Sequence, residues 1–224
     1  MRFFRGIAIP ESAVEGTIAR IERDGLSGSE GRWKVIHSHP GDIEFLFSKV
    51  DLSTDDTRNQ ELEIPVICAC GEYLGAAYYA LKHNQTREND TPIIVEFEAD
   101  MSSIAVDGRD FLYTAFQGGN PARARPVLRE AFGENVLRYA EKAWKTENQQ
   151  KRIALCDLAV NDPDVVRSHY DNVHVLGGRY GTVFCSAFLV KVPIPRSAIS
   201  SVHKVSMQTK IPDPDRTLQD VVAN

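Results

Sequence analysis

In the stretch 91–100, TPIIVEFEAD, apolar and acidic side chains alternate from Val95 to Asp100, and this regular period of two constrains the fold more than any other feature. Val95 and Phe97 are expected to face a core, with the acidic residues next to them facing outward. The pattern predicts a half-buried β-strand. A different pattern follows Gly71, where an apolar strand is succeeded by a run rich in Ala, Leu and Tyr that predicts a helix. The chain therefore combines strands and helices.

Short apolar runs bounded by Gly, Pro or polar residues predict further strands, and apolar residues at helical spacing predict further helices. The remaining strands are predicted at 2–9, 31–39, 43–48, 64–69, 152–159, 182–192 and 199–207. The helices are predicted at 10–26, 73–82, from about 126, at 134–145 and at 161–170. The first helix has a capping-box pattern at Ser12 and Glu15 and a stop at Gly25. Residues 51–60 are polar and predict a surface loop.

No internal repeat, low-complexity tract or clear linker divides the 224 residues. We expect a single α+β domain over residues 1–210, with mixed and mostly antiparallel sheets. A helical insertion is expected at about 120–150, and a loosely docked C-terminal tail at 211–224.

The composition narrows the class of function. A net charge of −5 argues against a broadly basic surface that would attract nucleic acid, although it is compatible with a local basic groove. No run approaches the ~18 apolar residues of a membrane span, and the start MRFFRGIAIPES lacks the pattern of a Sec-type signal peptide. The four cysteines predict reduced thiols rather than a disulfide framework. These features fit a cytoplasmic protein, or a toxin delivered into a target cell's cytosol without a Sec signal.

The common nucleotide-binding, metalloprotease and esterase motifs are absent from the sequence. His37 with His39, and Cys68 with Cys70, could offer four metal ligands, because residues two apart on a strand face the same side. Structural zinc more often takes ligands two to four residues apart across a turn, and cysteine is a common buried residue. We therefore expect no metal, and we keep a metal-binding interaction module as an alternative.

Three segments carry the strongest functional signal. The first strand contains Phe-Arg-Gly, with Arg5 and Gly6. A middle strand ends in Cys-Ala-Cys-Gly and is followed by a helix that contains Ala-Tyr-Tyr-Ala. A late strand reads FLVKVPIP and is followed by Ser-Ala-Ile. This order resembles the mono-ADP-ribosyltransferase family of NAD-consuming toxins and effectors. In that family the first strand carries an Arg, often followed by Gly. A Ser-Thr-Ser-like turn and an aromatic-Ala helix follow, and a late strand begins with a catalytic Glu. The resemblance spans most of the chain and rests on short motifs.

The resemblance implies sheets that form a central cleft flanked by helices, with NAD as the substrate. Breaking the nicotinamide–ribose bond develops positive charge, which a carboxylate stabilises, and an Arg suits the pyrophosphate. Gly6 would allow close approach of the nicotinamide amide. Glu72, after the middle turn, is expected to be solvated, with a role in the pocket as the alternative. The implied NAD-binding residues are Arg5, Gly6, Cys68, Ala69, Cys70, Tyr78, Tyr79 and Arg109, the last of which follows an Asp-Gly turn signal. The implied acceptor-binding residues are Arg179 and Tyr180, in the loop HVLGGRYGTVF.

Two departures from the family pattern bear on activity. A Cys-Ala-Cys turn at 68–70 replaces Ser-Thr-Ser, which puts its hydrogen bond to the catalytic carboxylate in doubt. Ala187 falls where the catalytic Glu belongs, and residues 179–192 contain no acid. A different family or a degenerate member would explain this, and we favour a substitution of the Glu by Ala. Cys185 stands where arginine-modifying members have Gln or Glu, which argues against arginine as the acceptor.

The sequence therefore predicts an NAD-dependent mono-ADP-ribosyltransferase, a glycosyltransferase of the bacterial toxin or effector type, inactive in its present form through Ala187. It would transfer ADP-ribose to a protein side chain other than Arg or to a nucleobase, and release nicotinamide. The acidic charge mildly favours a protein acceptor, and an antitoxin or immunity protein is a further expected partner. The alternatives are an NAD glycohydrolase, with water as the acceptor, and a non-catalytic module that binds a nucleotide, a partner or a metal.

Overall fold

The computed structural model describes residues 1–27, 33–37, 62–85, 87, 89–108 and 111–222, with the backbone alone described at 33–37, 62–65 and 180. Over these residues the protein has an α+β architecture, as predicted. The strand predicted at 43–48 and the loop predicted at 51–60 lie outside the described residues.

The described strands are β1 Arg2–Pro10, β2 Trp33–His37, β3 Leu62–Cys70, β4 Asp90–Glu98, β5 Ile104–Val106, β6 Leu176–Gly177, β7 Val183–Phe184, β8 Ala187–Lys191, β9 Ile199–Lys204 and β10 Arg216–Thr217. The main sheet has the strand order β5-β8-β3-β1-β4-β9, and β2 pairs with β3 on the same edge as β1. Every neighbouring pair in it is antiparallel, which confirms the prediction of a mostly antiparallel sheet. A small second sheet has the order β10-β6-β7 and contains one parallel pair, β10 with β6.

The helices of the described residues are α1 Val14–Asp24, α2 Tyr73–Tyr78, α3 Phe111–Gly118, α4 Pro121–Phe132, α5 Val136–Trp144, α6 Gln149–Asn161 and α7 Pro163–Tyr170. The strand predicted at 152–159 is wrong, because these residues belong to α6. A short apolar run cannot by itself distinguish a strand from a buried helix. Asn148 decides the outcome locally, since its side chain accepts a hydrogen bond from the Lys151 N–H and caps the helix. The helical region consequently extends over 111–170, beyond the predicted 120–150.

The first helix begins differently from the prediction and ends as predicted. A turn of 3₁₀-helix, Glu11–Ala13, precedes α1, and the N-cap residue Ala13 provides no side-chain hydrogen bond, so the predicted capping box does not form. The helix stops at Gly25, which has a φ of 79° and an N–H bonded to the Ile21 carbonyl. A side chain at Gly25 would also collide with the Ile194 carbonyl oxygen. Glycine is therefore required at this stop.

Side chains that alternate along the central strands build cores on both faces of the main sheet. Phe3 pairs with Phe97, and both are fully buried in the larger core, which also contains apolar residues of α1 and of α3 to α7. Phe4 and Ile94 belong to the smaller core on the other face, where Ala76 and neighbouring alanines of α2 pack. Helices thus cover both faces of β1.

The C-terminal segment packs more firmly than the loosely docked tail that the sequence predicts. β10 pairs with β6, and Arg216 forms a 2.7 Å ion pair with Glu130 of α4. Val221 is fully buried in the larger core. In the described part of the chain, no helix is both long enough and apolar enough to cross a bilayer.

Candidate functional site

A cavity of about 240 Å³ lies where the main sheet splits. β3 pairs with β1 at one position, Phe4 with Cys70, and the other half of that edge, from Leu62 to Val66, pairs with β2. The two strands therefore separate on the N-terminal side of Cys70, at Ala69 and Cys68, and leave room between them. The cavity is lined by Phe4, Arg5, Gly6, Cys68, Ala69, Cys70, Tyr79, His83, Asn84, Asp107, Thr182, Phe184 and Ala187.

Residues that lie far apart in the sequence meet at this cavity. The predicted site residues that line it are Arg5, Gly6, Cys68, Ala69, Cys70, Tyr79 and Ala187. They come from β1, from β3, from the turn after α2 and from the first residue of β8. The fold therefore brings the three segments of the family-like pattern to one place.

Arg5 carries a buried positive charge in the cavity wall. The residue is only 6% exposed, and its Nη1 donates a 2.7 Å hydrogen bond to the carbonyl oxygen of Cys68. This carbonyl lies on the part of β3 that does not pair with β1, so the guanidinium spans the gap between the strands. Burying a charge is costly unless polar groups compensate for it. The hydrogen bond therefore fixes a cation at the point where the sheet opens.

Gly6 lets helix α2 approach β1 closely. A Cβ atom at Gly6 would lie 1.8 Å from the Ala76 carbonyl oxygen and 2.8 Å from the Ala80 nitrogen. The space beside Gly6 is thus filled by the helix rather than left for a ligand, which corrects the reason that the sequence suggested for this glycine. The Gly6 carbonyl oxygen accepts a 2.8 Å hydrogen bond from Asn84 Nδ2, which holds Asn84 in the cavity wall.

Glu72 is half-buried and organises the turn beside the cavity, so the expectation of a solvated Glu72 is wrong. Its Oε1 accepts hydrogen bonds from the N–H groups of Gly75 (3.0 Å) and Cys185 (3.1 Å). Its Oε2 accepts from the backbone N–H and the hydroxyl of Ser186, at 3.1 and 3.0 Å. Burial raises the pKa of Glu72, and the hydrogen bonds from Cys185 and Ser186 act in the opposite direction. One carboxylate therefore joins the start of α2 to the segment that leads into β8.

Two thiols near the cavity, those of Cys70 and Cys185, are poor nucleophiles. Burial, followed by the charge of Glu72, raises the pKa of the Cys70 thiol well above its ordinary value. Burial, again followed by Glu72, raises the pKa of Cys185 to about 11. Because the thiolate is the reactive form of cysteine, neither group is suited to covalent catalysis at neutral pH.

Tyr78 and Tyr79, predicted together, have different roles. Tyr79 begins a turn of π-helix, Tyr79–His83, and lines the cavity together with His83. Such turns often occur at functional sites. Tyr78 is 7% exposed, and its hydroxyl donates a 2.5 Å hydrogen bond to the carbonyl oxygen of Gly181. Tyr78 therefore anchors the segment before β7 instead of lining the cavity.

Asp107 lines the cavity and is absent from the residues that the sequence pointed to. Its backbone N–H donates a 2.7 Å hydrogen bond to the carbonyl oxygen of Ala187. The available signal was the Asp-Gly turn at 107–108, where the sequence pointed to Arg109 instead. Arg109 lies outside the described residues. Only the pairing of β5 with β8 brings this turn beside Ala187.

The residues predicted to contact an acceptor lie on the segment that leads to β7. Arg179 Nη2 donates a 3.0 Å hydrogen bond to the Thr114 hydroxyl, and its guanidinium lies over the Tyr113 ring. Arg179 is thereby directed toward α3. The Tyr180 side chain lies outside the described residues. From the same segment, Thr182 and Phe184 line the cavity; the sequence did not single them out.

The four residues of the metal-binding alternative are not grouped by the described backbone. His37 pairs with Leu62, six residues before Cys68 on β3, which corresponds to about 20 Å along a strand. His39 lies outside the described residues. Among the residues that the structure describes, no three His, Cys, Asp or Glu side chains are grouped so as to hold a metal ion.

The cavity combines a buried cation, a carboxylate and aromatic rings. Arg5 suits an anionic group, Tyr79 and Phe184 offer ring surface, and Asp107 can oppose a positive charge. Comparisons of this chain with models of protein families, with curated proteins and with solved structures found no match.

Proposed function

We propose that the cavity binds the nicotinamide end of NAD and that the protein is a mono-ADP-ribosyltransferase. The observation that carries the proposal is the meeting of Arg5, residues 68–70, Tyr79 and Ala187 in one cavity. The resemblance to the family implies this combination, and the segments that supply it are distant in the sequence. Local sequence patterns alone would not bring them together.

The size of the cavity favours one end of a dinucleotide. At about 240 Å³ it lies below the roughly 300–1,000 Å³ of pockets that enclose drug-sized ligands. A nicotinamide ring with its ribose is smaller than a drug-sized ligand and suits a cavity of this volume. The remainder of NAD would extend along the rim. The rings of Tyr79 and Phe184 provide flat apolar surface for the pyridine ring.

The charges of the cavity suit the bond that must break. Departure of nicotinamide leaves positive charge on the ribose, and a fixed carboxylate nearby lowers the energy of that transition state. In the family that the sequence resembles, this carboxylate belongs to the residue at the position of Ala187, which lines the cavity here and pairs with Cys70. Arg5 supplies the cation for the phosphate side of the substrate.

NAD binding is the first test, measured by isothermal titration calorimetry of the full chain. We expect saturable binding, and we expect Arg5→Lys to weaken it about tenfold or more, because lysine lacks the planar fork of arginine. Arg167→Lys is the matched control, since Arg167 is an exposed residue of α7 outside the cavity. Absence of NAD binding by the unmodified chain contradicts the proposal.

Turnover of labelled NAD by the Ala187→Glu variant is the second test, with release of nicotinamide as the signal. We expect this variant to cleave NAD faster than the chain with Ala187, because it restores the carboxylate of the family. Transfer of the label to a protein or nucleic acid supports a transferase, whereas free ADP-ribose alone indicates a glycohydrolase. Binding of NAD without cleavage by Ala187→Glu would instead favour a non-catalytic binding module.

A further inference from the structure

We propose that Asp107 supplies the catalytic carboxylate that Ala187 lacks, so that the chain with Ala187 cleaves the nicotinamide–ribose bond itself. This inference rests on the proposed function, and it departs from the inactivity that Ala187 suggests in the sequence. Among the described residues that line the cavity, Asp107 is the only Asp or Glu.

The register of the sheet places Asp107 directly across from Ala187. β5 pairs with β8 through Ala105 with Leu189 and Val106 with Phe188. One further step brings Asp107 opposite Ala187, and the 2.7 Å hydrogen bond between the Asp107 N–H and the Ala187 carbonyl oxygen continues the ladder. Directly opposed residues of antiparallel strands project to the same face, with Cβ atoms about 4.5–5.5 Å apart.

The same row of the sheet continues to the other wall of the cavity. Ala187 pairs with Cys70 on β3, and Cys70 pairs with Phe4 on β1. All four residues of this row, Asp107 included, line the cavity. Asp107 is therefore displaced from the position of the family's Glu by one strand, a distance that the row itself sets at about 5 Å. Its carboxylate is presented to the same space from the neighbouring strand.

The position of Asp107 is set by its backbone. Besides the bond from Asp107 to Ala187, the Gly108 N–H donates a 2.9 Å hydrogen bond to the Val106 carbonyl oxygen and closes the turn. Gly108 is buried, and a Cβ there would lie 2.5 Å from a methyl carbon of Val160, so the turn packs tightly against α6. An Asp107→Asn substitution preserves these contacts and removes the negative charge.

The charge of Asp107 acts on the cavity. After burial, Glu72 and Cys68, it is among the causes that raise the pKa of the Cys70 thiol. A carboxylate that disfavours a second negative charge at this place favours a positive one there. An oxocarbenium-like ribose in the cavity would be stabilised in the same way.

The reaction needs no reactant besides NAD and the acceptor or water. The bond between ribose C1′ and the pyridinium nitrogen breaks, and its electron pair stays on the nitrogen, which gives neutral nicotinamide. Asp107 stabilises the resulting ribosyl cation. An oxygen or nitrogen of the acceptor, or water, then forms the new bond to C1′ and releases its proton to solvent.

The test compares the unmodified chain with Asp107→Asn and with Asp100→Asn, an exposed acid of the loop before β5. NAD affinity is measured by calorimetry, nicotinamide release is measured as a rate, and a melting curve confirms that each variant is folded. We expect NAD cleavage by the unmodified chain, a loss of at least about 100-fold with Asp107→Asn at nearly unchanged affinity, and no change with Asp100→Asn.

The outcomes separate this inference from the proposed function. Cleavage that Asp107→Asn leaves intact overturns the role of Asp107 and leaves the NAD-dependent activity standing. Binding of NAD without cleavage by the unmodified chain also overturns the role of Asp107. A chain that binds no NAD overturns the proposed function, and the role of Asp107 with it.

Discussion

The Nε2 atom of His169 accepts a 3.0 Å hydrogen bond from the backbone N–H of Ala187, the first residue of β8. The other ring nitrogen, Nδ1, donates to the Ala131 carbonyl oxygen at 2.9 Å, so the two bonds together require a neutral imidazole. The ring is fully buried and stacks on Phe132 with centroids 4.4 Å apart. A neutral histidine thus holds the cavity strand against the helices α4 and α7.

This relationship makes stability depend on pH. Burial lowers the pKa of His169 from 6.5 to about 4. Between these values the unfolded chain binds a proton that the folded chain excludes, so the free energy of unfolding falls as the pH drops from 6.5 to 4. The expected loss is about 3 kcal/mol in all. Urea unfolding at a series of pH values measures it.

A variant isolates the contribution of His169 from that of other groups. His169→Gln keeps a side-chain acceptor near Ala187 and does not titrate in this range. The difference between the two stability curves removes shared contributions, including that of Glu72, whose raised pKa acts in the opposite direction. Curves that run parallel between pH 6.5 and pH 4 would show that His169 does not carry this dependence.

Glycine at position 6 is expected to be essential for packing. Gly6→Ala would place a Cβ 1.8 Å from the Ala76 carbonyl oxygen, so β1 or α2 must shift. We expect a loss of about 2–3 kcal/mol, the upper part of the usual cost of overpacking. Gly16→Ala is the matched control, because Gly16 lies on the exposed face of α1 and a Cβ atom there would meet nothing within 4 Å. It should stabilise the protein by about 0.5–1 kcal/mol. Chemical denaturation of both variants measures the contrast, and equal effects contradict it.

Local sequence patterns were sufficient to predict those helices and strands that have a clear periodicity or a recognisable residue at one end. The alternation around Val95 predicted β4, and Gly25 predicted the end of α1. Residues 161–170, with Pro163 near the first turn, predicted α7. The structure adds a cap that was not predicted, because the Asp162 side chain accepts a 2.9 Å hydrogen bond from the Asp164 N–H. Residues 152–159 were misassigned because their apolar run fits either period, and packing against α5 and α3 selects the helix.

The candidate site was predictable only in part, for a physical reason. Motif order pointed to Arg5, residues 68–70 and Ala187, all of which line the cavity. Glu72 was misjudged and Asp107 was not singled out, because the positions of both depend on partners distant in the chain. A hydrogen bond to residues 185 and 186, or a β5–β8 register, leaves no periodic signal in the local sequence.

Loss of the Glu72 carboxylate should loosen the turn at the start of α2. Glu72→Gln replaces an oxygen by an amide NH₂, which cannot accept the hydrogen bonds that Oε1 or Oε2 receives from Cys185, Ser186 or Gly75. A buried donor left without an acceptor costs about 1–3 kcal/mol, so we expect a loss of about 2 kcal/mol. Glu15→Gln, at an exposed position of α1, should change stability by less than about 0.5 kcal/mol. Similar losses in the two variants, measured by chemical denaturation, would argue against this role for Glu72.

Substitution of Tyr78 should lower stability, and substitution of Tyr79 should weaken NAD binding. Tyr78→Phe removes the hydrogen bond to the Gly181 carbonyl oxygen, and we expect a loss of about 1 kcal/mol in stability with NAD affinity unchanged. Tyr79→Leu removes an aromatic ring from the cavity wall, and we expect NAD affinity to fall about tenfold. Calorimetry and denaturation of both variants measure the two quantities. Tyr79 lines the cavity, whereas Tyr78 anchors the segment before β7. If Tyr78→Phe weakens NAD binding as much as Tyr79→Leu does, this division of roles between the two rings is wrong.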